Sequence, residues 1–76
     1  PKLYRMAALA VGGAIEASEL ALQDRPAFAC VRPPGHHASR ADAWGHCTFG
    51  NVALALLRLR AAGRIRSAFV VDFDLH

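Results

Sequence analysis

All four histidines of this 76-residue chain lie in two short stretches, RPPGHHASRADAWGHC at 32–47 and VVDFDLH at 70–76. In the second, Asp72, Asp74 and His76 alternate with apolar residues. Side chains of an extended segment alternate between its faces, so these three would point to one side. Two carboxylates and an imidazole converging at a strand end make a divalent metal site. That donor set suits zinc, iron, manganese or nickel over thiolate-loving metals. The plainer alternative is an acidic strand end whose carboxylates cap neighbouring helices. In the first stretch, Pro33 and Pro34 stiffen the backbone, and Gly35 permits an unusual turn just before His36 and His37. Two imidazoles aimed from one loop at a metal-bound water can share its proton work, because histidine titrates near neutrality. The plainer alternative there is a surface loop with two solvated histidines.

Positioning these groups falls to the segments around them. Leu3, Met6, Ala7, Ala10, Val11, Ala14, Ile15, Ser18 and Leu22 recur at steps of three and four, the pattern of a helix with one apolar face. Gly12 and Gly13 each cost such a helix about 1 kcal/mol relative to alanine, so the pair points to close approach by another element. Asp24, Arg25 and Pro26 end it. Ala27–Val31 is short, apolar throughout and bounded by Pro26 on one side and, past Arg32, Pro33 on the other, which reads as a buried strand. Asn51 to Ala62 is helical again, with Thr48 available to cap its start and Gly63 placed to stop it. Ser67 to Phe73 reads as a second buried strand. The expected fold is α/β: a helix followed by a right-handed βαβ unit with parallel strands. Chemistry in such sheets collects beyond the carboxyl ends of the strands. Both histidine-bearing stretches fall at that edge, so the order of elements predicts that they are neighbours in space.

Composition narrows the class. The chain is 54% hydrophobic, high for a length that buries only about 60% of its unfolded surface. Dense packing or membership of a larger body is expected. The net charge of +3 comes from arginines. Arg58, Arg60, Arg64 and Arg66 straddle a helix end, where they complement the macrodipole and fall short of a nucleic-acid surface. No apolar run approaches the roughly 20 residues of a membrane span. The opening residues, broken by Gly12 and Gly13 and followed by Glu16 and Glu19, do not read as a signal peptide. Cys30 and Cys47 are too few for a disulfide scaffold. The expectation is two free thiols in a reducing, cytoplasmic compartment, with Cys30 in the core and Cys47 a small buried thiol.

Three motifs in order, RPPGHHA, GHCTFGN and VVDFDLH, together with the helix AVGGAIEASELAL, resemble the histone deacetylase superfamily, including its acetylpolyamine amidohydrolase and acetoin-utilisation branches. The resemblance covers essentially residues 1–76, as one N-terminal-central piece of an arginase/deacetylase-type domain. It implies a zinc-dependent hydrolase of an acetyl-amide, of the acetyl-lysine or acetylpolyamine class. It implies that Asp74 and His76 are two of three protein ligands to a catalytic zinc. His36 and His37 would be the tandem histidines beside the zinc-bound water, with His37 protonating the leaving amine and His36 its general-base or electrostatic partner. Asp72 would orient His36 and help bind a structural potassium ion. Gly45 would lie beside the acyl-lysine channel, its carbonyl receiving a hydrogen bond from the substrate amide.

The sequence also departs from that pattern. His46 stands where the family usually has a phenylalanine lining the channel, and Gly50 and Asn51 stand where two asparagines are common. Trp44 is a candidate for the rim. The family's third zinc ligand, its tyrosine and the acidic partner of the second histidine match nothing up to His76, so the resemblance implies a site only partly carried here. A βαβ unit alone leaves its sheet edges bare. The expected assembly is therefore a homo-oligomer, and the rival reading of the chain is a non-catalytic, self-associating α/β module.

Overall fold

The first apolar stripe folds into α1, Lys2–Ala21, in a computed structural model that describes residues 2–40 and 45–76. Trp44 lies outside the described residues. Ala7 and Ala10 are buried, whereas Leu3, Met6 and Leu22 at the ends of the stripe stay exposed. Asp24, at a φ of 59°, turns the chain out of the helix. Of the two glycines only Gly13 marks a close approach: a Cβ there would fall 2.7 Å from Val31 Cγ1, while Gly12 has nothing within 4 Å.

The segment read as a second helix forms α2, Asn51–Ala61. Its N-cap is Gly50 with no side-chain cap, so Thr48 does not take the role its type offered. Its end follows the expectation. Gly63 takes a φ of 72°, the Gly63 amide donates to the Arg60 carbonyl and the Arg64 amide to the Leu59 carbonyl. Those two bonds are the Schellman arrangement, in which a left-handed glycine lets orphan carbonyls find donors. The helices pack on each other. Asn51, Ala55 and Leu59, spaced by four along α2, are buried, as are Ala7 and Ala10 of α1. Leu59 is the largest apolar side chain among them, and its burial contributes about 2 kcal/mol.

The βαβ expectation does not hold. The element order among the described residues is α1 then α2, with no strand. Residues 27–31 and 67–73 run without a ladder and largely without cover: Phe28 is 89%, Phe69 90% and Phe73 93% exposed. Cys30, expected in the core, is exposed too. A strand exists only against a partner, and among the described residues neither segment pairs with another; beyond Phe73 the main chain bonds locally instead. The Asp74 amide donates to Asp72 Oδ1 at 3.1 Å, and the His76 amide to Asp74 Oδ1 at 2.7 Å. Such side-chain-to-backbone bonds two residues apart satisfy the main chain locally and compete with sheet pairing. The radius of gyration, 12.4 Å, exceeds the roughly 11 Å of a fully compact domain of this length. That agrees with an apolar segment left outside the two-helix core. No helix among the described residues is long and apolar enough to cross a membrane.

Candidate functional site

Loop 32–40 leaves the residue 27–31 segment and passes over the start of α2. The Arg32–Pro33 peptide is cis, and the Ala38 amide closes a turn on the Gly35 carbonyl at 3.1 Å. The turn sets the rings of His36 and His37 side by side, centroids 4.3 Å apart and tilted by 56°. Behind His37, its backbone amide donates to Cys47 Sγ at 3.4 Å, and that thiol reaches the Gly45 carbonyl at 3.6 Å. Gly45, at a φ of 60°, packs so closely on the His37 ring that a Cβ would collide with it. His46 follows at a φ of 67°, a left-handed conformation in which a non-glycine residue is uncommon. Tyr4 of α1 meets Phe49 edge-on, centroids 5.7 Å apart, which ties this loop to the first helix.

The two histidine-bearing stretches meet. His36 Nδ1 donates to Asp72 Oδ2 at 2.6 Å across 36 residues of sequence, and His36 Nε2 stands 3.7 Å from Asp74 Oδ1. The bond to Asp72 holds His36 above its ordinary 6.5, outweighing desolvation, with smaller help from the Asp72 and Asp74 charges. The same bond, with the Asp74 amide next, holds Asp72 below its ordinary 3.8. A neutral imidazole fixed this way has one tautomer, with Nδ1–H on Asp72 and Nε2 left as the acceptor. Side chains 31% and 46% exposed make this a device for orientation more than for stability.

The sign of the pH dependence follows. Because His36 is raised, the added stability of its charged form is fully present below 6.5 and is lost as pH rises through the higher folded-state value, leaving the neutral Nδ1–H bond to Asp72. Because Asp72 is depressed, the contact is present above 3.8 and is lost as pH falls through the lower folded-state value. In the metal-free protein, nitrogen-detected NMR is expected to show His36 titrating above an ordinary histidine, and Asp72→Asn to bring that midpoint down. An identical midpoint in the variant would rule the contact out.

Grooves lie on both sides of the loop. One, of about 610 Å3, is lined by His36, Asp72, Asp74, Asn51, Ala14 and Val31 among others, a volume in the range of small-molecule sites. The other, of about 710 Å3, includes His46, Arg32, Leu3 and Met6. His46 therefore faces a different groove from His36 and the aspartates. His76 is held through its backbone amide by Asp74. Among the described residues no three His, Cys, Asp or Glu side chains are placed to hold a metal ion together. Three protein ligands are usual for a catalytic zinc, so the donors present fit part of such a site and do not make one alone.

Sequence reasoning placed Asn51 at a helix start and at a family asparagine position but gave it no role. It is the one buried polar residue recorded among those described, 7% exposed, and its Nδ2 donates to the Pro33 carbonyl at 3.1 Å. The signal was available: it sits at the head of the buried spacing Asn51, Ala55, Leu59, where an apolar residue would be expected.

Comparison with known proteins agrees with the motifs. The family model for the histone deacetylase domain matches residues 1–76. A protein named probable deacetylase, from Methanothermobacter thermautotrophicus, is 40% identical over 76 residues, covering 100% of this chain and 23% of the relative. Histone deacetylase 14, chloroplastic, from Arabidopsis thaliana is 39% identical over 66 residues, 87% of this chain and 16% of the relative. Polyamine deacetylase HDAC10 from Mus musculus is 38% identical over 78 residues, 100% of this chain and 12% of the relative. The chain thus spans less than a quarter of the length of these relatives. No solved structure matches it. With a family model matched from end to end and a relative 40% identical along the whole chain, the chain belongs to the histone deacetylase family.

Proposed function

We propose that this chain supplies the histidine pair and two of the metal donors of a zinc-dependent deacetylase site, one that hydrolyses an acetyl-lysine or acetylpolyamine amide. The observation that carries the reading is the 2.6 Å contact between His36 and Asp72 with the His37 ring alongside. It supports two imidazoles with separate duties. His36, kept in one tautomer by Asp72, is suited to accept a proton at Nε2. His37 is suited to deliver one to the departing amine. Asp74 and His76 would hold zinc together with a further donor from elsewhere in the protein, and Asp72 would also contribute to a potassium site. Bound zinc supplies carbonyl polarisation and a water of lowered pKa. The names of the relatives, a histone deacetylase and a polyamine deacetylase among them, support the acetyl-amide class. The rival reading, a non-catalytic self-associating module, draws on the uncovered phenylalanines and leaves the His36–Asp72 pair without a task.

The test is acetate release by the full-length, zinc-loaded protein from an acetyl-lysine peptide and from an acetylated polyamine, with a chelator control. Chelator-sensitive release from at least one substrate is expected. A folded, zinc-loaded protein that releases none from either overturns the reading in favour of the rival.

A further inference from the structure

The structure assigns Asn51 as the positioning residue of the histidine pair, a role it fills by tying the first turn of α2 to the backbone of the loop that carries His36 and His37. Three observations converge on it. Its side-chain amide donates to the Pro33 carbonyl at 3.1 Å, three residues before His36. Its backbone nitrogen and the Phe49 carbonyl close over Gly35 so tightly that a Cβ on Gly35 would fall 2.5 Å from each. And it is buried, where a polar group persists only if bonded. The bond is not a helix cap. Asn51 is the first residue of α2 after the Gly50 cap, and its side chain points outward from the helix to another segment.

The consequence is mechanical. Loop 32–37 has no ladder or helix to fix it. Bonds that tie it to the rest of the chain include Asn51 to Pro33, the His37 amide to Cys47 Sγ, and His36 to Asp72. The last of these is solvent-exposed and the second is a weak thiol bond. Of the three, the amide of Asn51 is the one donor on a buried residue. Without it the Pro33 end of the loop loses its tie to α2, and the rings of His36 and His37 shift with the loop.

The inference rests on the proposed activity for its kinetic arm only. In the full-length protein, Asn51→Asp keeps the shape and exchanges the donor for an acceptor that repels the Pro33 carbonyl. Asn51→Ala removes the donor without introducing a buried charge, and serves if the first variant does not fold. Three quantities are read: helical content and melting temperature, imidazole nitrogen resonances of His36 and His37, and kcat and KM. The expected result is a folded variant whose His36 and His37 resonances are displaced. Its kcat is expected to fall by roughly a hundredfold, the scale of a misplacement of about 1 Å, with KM nearly unchanged. A merely structural role would lower the melting temperature and leave the folded protein's resonances and kcat alone, and that result overturns the assignment. If the parent protein proves inactive, the functional reading fails, while the resonances still decide the position of the rings.

Discussion

Replacing His37 with alanine in the full-length protein is expected to lower kcat by about 10²–10⁴-fold, the usual worth of a positioned proton-transfer group. The metal content should stay at its parent value. The reason is the separation of duties in the geometry. His37 sits beside His36 with its ring tilted and is braced by Gly45 and Cys47, while the hydrogen bond to Asp72 is made by His36. On the proposed reading, loss of His37 removes a proton carrier and leaves the His36–Asp72 bond in place. Asp74→Ala is the companion: there metal content should fall, and activity with it. Steady-state kinetics paired with metal analysis separates the two. Parent-level turnover by His37→Ala, or loss of metal from it, would refute the division of labour.

Gly35→Ala should be as severe by another route. The new methyl group would meet the Asn51 nitrogen and the Phe49 carbonyl, each 2.5 Å away, and neither is a side chain that can rotate aside. Either the start of α2 or the histidine loop must shift. Overpacking of this kind costs about 1–3 kcal/mol of stability, and the displaced rings should cost turnover on the scale of ~10²-fold. Gly12→Ala is the control on the same chain. Its Cβ meets nothing within 4 Å, and inside a helix alanine is favoured over glycine by about 1 kcal/mol. A higher melting temperature for Gly12→Ala and a lower one for Gly35→Ala are expected from thermal unfolding. Equal melting temperatures would show that the backbone around Gly35 yields.

Both helices were legible in the sequence because their signal is local. The steps of three and four through Ala7 and Ala10 need only the helix itself to be read. Gly63 likewise announces its stop within four residues. The strands were not legible as such. Ala27–Val31 and Ser67–Phe73 have the composition of buried strands, but a strand is defined by its neighbour, and no local pattern shows whether one lies alongside. Here Asp72 and Asp74 bond their own backbone instead. The meeting of the two histidine-bearing stretches was anticipated from the order of elements and occurs without the sheet that argument assumed. Trp44 gave no outcome, lying outside the described residues. Asn51 was noted by position but given no role, because an asparagine at a helix start is ordinarily a capping residue and its reach to Pro33 is a contact across 18 residues.

The dual duty of the first turn of α2 sets a rule for how this sequence can drift. Asn51 belongs to a helix face that continues through Ala55 and Leu59 into the core. Each residue added or removed turns a helix by about 100°. A single-residue insertion between Asn51 and Ala55 therefore sets two demands against each other: the helix can keep its buried face, or the amide can keep its hold on Pro33. The stretch Val52–Leu54 is thus constrained in number more tightly than in identity. The connection after Gly63, where α2 has already ended and the chain runs exposed from Arg66 onward, carries no such arithmetic and is where length changes should be absorbed.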